Sequence, residues 1–184
     1  GMHGDNPTII SGRFDVRISE SEHFLTFEGV KFDTSINVAH CSSTINFNKC
    51  DIKYIIGNYV LKFISTNCIV RGAYVDDDDK VTMINCIYDY EQGRTEGGLT
   101  MINCVTYNVY NWLPASFINC IFINNTGHNF EADGVCTFKN CVCIGDGDLF
   151  TNPDFCTNCY SGQNINIFEG SDWKKPLTET AKET

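Results

Sequence analysis

Large apolar side chains recur along this chain at a constant distance from cysteine. The motif TMINC occurs twice, at Thr82–Cys86 and Thr100–Cys104, and closely similar motifs surround it. In these motifs an aromatic residue or methionine stands three positions before the cysteine, and a mostly apolar residue stands two positions after it. The cysteines of this series follow each other at a nearly constant spacing: Cys50, Cys68, Cys86, Cys104, Cys120 and Cys141. Self-similarity at this period predicts a solenoid.

The position directly before the cysteine predicts a bend in each repeat. It is asparagine in five of the six repeats and Lys49 before Cys50, and an upstream copy of the repeat has Gly29 there. Asparagine and glycine are the residues that best tolerate a left-handed backbone. An asparagine at a bend can also bond to its copies in the coils above and below. The predicted coil is therefore a strand, a bend, a second strand and a loop, with an Asn ladder of Asn67, Asn85, Asn103, Asn119 and Asn140.

Between residues 9 and 167 the sequence favours strands over helices. It lacks a sustained 3.6-residue period and is rich in β-branched and aromatic residues. Leucine-rich repeats would need more leucine, and left-handed β-helices favour strict six-residue subrepeats. The variable coil length suits an all-β, right-handed parallel β-helix, a single-stranded solenoid of about seven to eight coils with Asn and Cys ladders. We expect a tag or disordered leader at residues 1–8 and the β-helix at residues 9–169. Residues 170–184 would be a C-terminal cap or the start of a truncated continuation.

Two motifs resemble a known group of proteins. FINCIFINN at Phe117–Asn125 resembles the right-handed β-helix repeats of the pectin-lyase-like superfamily. LTFEGVKFD at Leu25–Asp33, the INC units and the tail Asp172–Thr184 are similar to β-helix domains of unknown function in surface proteins of Bacteroides-type gut bacteria. The resemblance implies an extracellular or cell-surface, non-catalytic module that binds glycan or acts as a rigid spacer. The alternatives are a lyase or glycoside hydrolase acting on acidic polysaccharide, and a self-association or adhesin module.

Charge and cysteine content limit the kinds of partner and metal that this chain could bind. The net charge is −10, with 13 basic residues among 23 acidic ones, which argues against nucleic acid as a partner. No apolar run approaches the roughly 18–20 residues of a transmembrane helix.

The six repeat cysteines would form a ladder of mostly free, buried thiols. Metal ligands converge on one point, whereas these cysteines are spread over five steps between successive coils. The redox state stays open for Cys41, Cys136, Cys143, Cys156 and Cys159.

Several residues outside the ladders are candidates for ligand contact, although no complete set of catalytic residues is visible. Calcium is the only cofactor the sequence suggests, at the acidic run Asp76, Asp77, Asp78 and Asp79. Arg71 and Asp89 share the third position after the cysteine and could pair on the outer surface. The aromatic candidates for stacking against sugar rings are Tyr107, Tyr110 and Trp112. The position directly after the cysteine predicts an outward aliphatic column, either exposed to a partner or covered by a loop: Ile69, Ile87, Val105, Ile121 and Val142.

Overall fold

The computed structural model describes residues 7–17, 24–75, 80–89, 94–95, 98–107, 115–123, 136–144 and 156–162. Within these residues the chain is entirely β-structure and turns, and every strand pairing is parallel. This confirms the predicted all-β parallel solenoid. The strands are β1 (Thr8–Ile10), β2 (Phe14–Val16), β3 (Phe24–Glu28), β4 (Val30–Asn48), β5 (Asp51–Thr66), β6 (Ile69–Val70), β7 (Ala73–Val75), β8 (Lys80–Ile84), β9 (Ile87–Asp89), β10 (Arg94–Thr95), β11 (Leu99–Ile102), β12 (Val105–Tyr107), β13 (Ala115–Ile118), β14 (Ile121–Ile123), β15 (Thr137–Lys139), β16 (Val142–Ile144), β17 (Cys156–Thr157) and β18 (Tyr160–Gly162).

Successive coils stack strand on strand and form three faces. The pre-bend face consists of β3, the ends of β4 and β5, β8, β11, β13, β15 and β17. The post-bend face consists of β1, the starts of β4 and β5, then β6, β9, β12, β14, β16 and β18. A third face joins β2, β4, β5, β7 and β10.

The solenoid has about five turns, slightly fewer than the predicted seven to eight coils. The right-handed sense of the winding stays a prediction. Among the residues described, no helix has the length and apolar character of a membrane span.

The predicted bends are confirmed by the backbone. The residue before each cysteine has a positive φ of 52° to 55° at Lys49, Asn67, Asn85, Asn103, Asn119, Asn140 and Asn158, and Gly29 has 66°. The Asn side chains form a continuous ladder, each Nδ2 donating to Oδ1 of the preceding copy. These hydrogen bonds run from Asn85 to Asn67, Asn103 to Asn85, Asn119 to Asn103, Asn140 to Asn119 and Asn158 to Asn140, at 3.0–3.3 Å.

The core is enclosed by all three faces. Phe117, three before a cysteine, packs edge-on against Phe122, two after it, with ring centroids 5.1 Å apart, and stacks on Phe138 of the next coil. Thr106 occupies the same inward column as Phe122 and is fully buried, and its Oγ1 donates to the Ile121 carbonyl at 3.5 Å. Ser65 takes the place of an aromatic residue in its coil, and its buried hydroxyl has no hydrogen-bond partner among the described residues.

The predicted Cys ladder is also inward-facing. The side chains of Cys50, Cys68, Cys86, Cys104, Cys120 and Cys141 are at most 2% exposed. Each thiol donates to backbone carbonyls: Cys86, for example, contacts the carbonyls of Ile84 and Ser65, both at 3.3 Å. The ten cysteines whose side chains are described are free thiols. The side chain of Cys41 lies outside the described residues.

Unequal coil lengths are absorbed by local irregularities. The coil between the bends at Gly29 and Lys49 is longer than the coil between the bends at Lys49 and Asn67. The register between β4 and β5 shifts twice, between Phe32 and Ser35 and between Cys41 and Thr44. Each shift places one extra residue on β4, so the two shifts account for the longer coil without disturbing the bend or the core columns.

Candidate functional site

The outward side of the pre-bend face carries a continuous column of hydroxyl groups. Four side chains lie in register on β8, β11, β13 and β15, at the fourth position before the cysteine, and we call them the hydroxyl column: Thr82, Thr100, Ser116 and Thr137. Their spacing is that of adjacent parallel strands, about 4.8 Å. Each hydroxyl offers one donor and two acceptor sites. The column therefore presents the same hydrogen-bonding group at regular intervals along the solenoid axis.

An open groove of about 420 Å³ runs beside the hydroxyl column. Its other side is lined by Lys62 and Lys80, which lie directly opposite each other on β5 and β8. The next residue in this row is Gly98, and a Cβ added there would meet no atom within 4 Å. Within the described residues, Lys80 is the last side chain of this row, and the missing side chain at Gly98 leaves the groove open over Thr100.

The two lysines give this end of the groove a local positive charge. Like charges on adjacent strands repel each other. Lys31, Lys49 and Arg71 each form an ion pair, whereas within the described residues neither Lys62 nor Lys80 does. Each ammonium group can donate up to three hydrogen bonds. The groove thus combines cationic donors at one end with hydroxyl groups along its length.

The post-bend candidates lie on a different face. The Nη1 and Nη2 atoms of Arg71 each donate to a carboxylate oxygen of Asp51, the Nη2 contact at 3.3 Å. Asp51 is largely buried, so this two-point contact ties Arg71 to the preceding coil. Asp89 lies in register with Tyr107 on β12, and both side chains are half-buried. The suggested pairing of Arg71 with Asp89 stays a prediction.

Of the aromatic candidates and the acidic run, the structure describes only Tyr107. Tyr110, Trp112 and the acidic run Asp76–Asp79 lie outside the described residues. Within the described part of the chain, no group of three or more His, Cys, Asp or Glu side chains could hold a metal ion. Calcium binding at Asp76–Asp79 therefore stays a prediction.

The aliphatic column of Ile69, Ile87, Val105, Ile121 and Val142 does face outward. Its members lie in register on successive strands. Ile121 is 37% exposed and the other four are half-buried.

We did not predict Lys62, Lys80, Gly98 or the hydroxyl column from the sequence. A signal for the hydroxyls was present, because the first letter of TMINC, SFINC and TFKNC is always threonine or serine. The lysines and Gly98 had no such signal, since they precede the repeated motif and their positions vary in residue type.

Comparison of the chain with models of known protein families, with curated proteins and with solved structures found no match. The structure alone therefore shows the parallel β-solenoid. Membership of the pectin-lyase-like superfamily stays an expectation.

Proposed function

We propose that this chain is a non-catalytic glycan-binding module that holds an extended polysaccharide along its pre-bend face. The observation that carries the proposal is the hydroxyl column beside the open groove, repeated over four successive coils. A linear polysaccharide also repeats its hydroxyl groups along one axis. A regular row of donors and acceptors can bond to such a polymer without disturbing the strands that carry it.

The charges favour a neutral polysaccharide over an acidic one. Lys62 and Lys80 can donate hydrogen bonds to sugar oxygens, but the chain as a whole has a net charge of −10. Long polyanions are repelled by such a charge. Four aspartates, Asp76–Asp79, also directly precede Lys80 in sequence. An acidic polysaccharide, the substrate class of the lyase alternative, is the less favoured ligand on these grounds.

An extracellular or cell-surface location is part of the proposal. The main chemical difficulty for a cysteine-rich chain there is thiol oxidation. The six thiols of the Cys ladder are at most 2% exposed, so oxidants have little access to them. A stiff solenoid of this kind would also separate neighbouring domains, and the spacer role is compatible with glycan binding.

The experiment that tests the proposal is affinity electrophoresis of the Gly98→Phe variant in gels that contain soluble polysaccharides. The added ring fills open space beside Thr100, and Gly98 has an ordinary φ, so the fold should tolerate it. Gly12→Phe is the matched control, because Gly12 also has open space around it and does not line the groove. The panel contains neutral β-glucan, xylan and galactomannan together with polygalacturonate.

We expect at least one neutral polysaccharide to retard the wild type and the Gly12→Phe control, but not Gly98→Phe. Thr100→Val should weaken the same interaction about twofold to twelvefold, which corresponds to one hydrogen bond of about 0.5–1.5 kcal/mol. Retardation that persists in Gly98→Phe, or none with any polysaccharide, would overturn the proposal. The appearance of new reducing ends would overturn its non-catalytic part and favour the lyase or hydrolase.

A further inference from the structure

The last described bend differs from all others in having cysteine at both inward positions that flank it. Three positions before the ladder position, the other coils carry phenylalanine, methionine or serine, and Cys156 stands there instead. Cys156 lies in register with Phe138 of the preceding coil. Cys159 occupies the ladder position that follows Cys141. Asn158, at a φ of 52°, forms the bend between Cys156 and Cys159.

The two thiols are close together and accessible. Only two residues separate them across the bend at Asn158, and both side chains pack against the core. The Sγ of Cys159 also donates to the Thr157 carbonyl at 3.4 Å. Both side chains are half-buried, in contrast to the fully buried thiols of the Cys ladder. This pair is therefore accessible to a small reagent in a way that the ladder is not.

Cys141 is a competing partner for Cys159, because the two are neighbours in the ladder. In-register side chains on parallel strands point in the same direction, which opposes the geometry of a disulfide. Cys141 is also fully buried, so a reagent reaches it only if the last coil opens. Cys156 approaches Cys159 from across the bend within one coil, and its burial is only partial.

We propose that Cys156 and Cys159 form a redox-active pair that closes to a disulfide across the last bend when it meets a small-molecule disulfide. In the first step the Cys159 thiolate attacks one sulfur of the oxidant, forming a mixed disulfide and releasing one thiol. In the second step the Cys156 thiolate attacks the Cys159 sulfur, forming the protein disulfide and releasing the second thiol. The protein loses two hydrogens, and one disulfide is reduced to two thiols.

The order of the two steps follows from the environment of each thiol. The neighbouring Cys141 thiol lowers the pKa of Cys159 to about 7, from an ordinary value of 9.0. Burial raises the pKa of Cys156 to about 11. Because the thiolate is the attacking species, Cys159 reacts first with the oxidant.

The disulfide would strengthen the last coil that the structure describes. β17 and β18 pair with β15 and β16 on one side. Within the described residues no later coil covers their other side. A covalent link across the bend holds Cys156 and Cys159 in their inward positions and so restrains the last coil against fraying.

Peptide mapping after incubation with oxidised glutathione tests the proposal. The whole chain is incubated in its folded state, the remaining thiols are alkylated after denaturation, and the protein is cleaved before aspartate. This cleavage yields residues 154–171, which contain Cys156 and Cys159 alone, and residues 133–145, which contain Cys136, Cys141 and Cys143. We expect the peptide 154–171 to be lighter by two hydrogens and unalkylated.

Two single variants check the mechanism. Cys156→Ser should retain glutathione on Cys159, because the resolving thiol is missing. Cys159→Ser should react much more slowly, by tenfold or more. Three results would overturn the proposal: an alkylated dithiol in 154–171, glutathione retained there in the wild type, or a bond joining 154–171 to 133–145. The test needs no glycan, so it is independent of the proposed function.

Discussion

Asn103 donates a hydrogen bond from Nδ2 to Oδ1 of Asn85 at 3.2 Å, and both residues hold a left-handed backbone with φ of 54° to 55°. Asn103 thus performs two tasks. Its backbone accepts the bend that turns the chain from the pre-bend to the post-bend face. Its side-chain amide ties that bend to the same bend in the coils before and after it.

Two substitutions at Asn103 separate these tasks. Asn103→Ala loses both ladder hydrogen bonds and places a Cβ-bearing residue with no polar side chain in the left-handed region, so we expect a loss of about 2 kcal/mol. Asn103→Gly loses the same hydrogen bonds but relieves the backbone, and should lose about 1 kcal/mol. Urea denaturation of both variants measures the difference. Equal losses would show that the backbone conformation contributes little.

Replacement of Lys49, at the bend position before Cys50, should stabilise the protein. It holds a φ of 54° without the tolerance of asparagine for that region, and its ion pair with Glu28 is exposed and weak. Lys49→Asn should raise the free energy of unfolding by about 0.5–1 kcal/mol, because the new amide can also accept from Asn67. Lys31→Asn, which breaks a comparable surface pair with Asp33 elsewhere, is the control and should change stability by less than about 0.5 kcal/mol.

Ser65 carries a buried hydroxyl without a partner among the described residues. Removal of such a group recovers its desolvation cost, so Ser65→Ala should stabilise the protein by about 1 kcal/mol. Thr106→Val is the matched comparison, because the Thr106 hydroxyl is equally buried but bonds to the Ile121 carbonyl. Thermal unfolding should show a higher midpoint for Ser65→Ala and an unchanged or lower one for Thr106→Val. A lower midpoint for Ser65→Ala would mean that the hydroxyl is bonded in solution.

Alkylation of Cys159 should depend on pH with a midpoint near 7. The Cys141 thiol lowers the pKa of Cys159 to about 7, so the reactive thiolate predominates above that pH and falls about tenfold for each unit below it. Cys156, with a pKa raised to about 11 by burial, should react later throughout this range. Timed iodoacetamide labelling, read by mass spectrometry of residues 154–171, gives both rates. A midpoint near the ordinary value of 9.0 would contradict this prediction.

The bends and the core columns could be predicted because each depends on one residue type at one position. The asparagines at Asn85 and Asn103 predict a left-handed backbone, and the aromatic residue Phe117 predicts an inward side chain. Neither prediction depends on the residues of the neighbouring coils. Thr106 broke the apolar pattern and was still inward, since the coil geometry places that position in the core. Ser65 shows the same effect three positions before Cys68.

The candidate groove was much harder to predict. Thr82 and Thr100 belong to the repeated motif, but a hydroxyl on a strand has many uses, and only the register shows that four of them form one row. Lys62 and Lys80 are far apart in the sequence and look unrelated until β5 and β8 pair. The role of Gly98 depends on the empty space around it, which no sequence position encodes.

The repeat, the bend and the inward columns follow from the amino-acid sequence alone, because they arise from backbone preferences and side-chain burial within a single coil. Which outward side chains meet is set only when the coils stack. Arg71 contacts Asp51 of the preceding coil, and the hydroxyl column crosses coils of three different lengths. Such contacts depend on how coils of unequal length are brought into register, and loops and local irregularities absorb those differences outside the repeated motif.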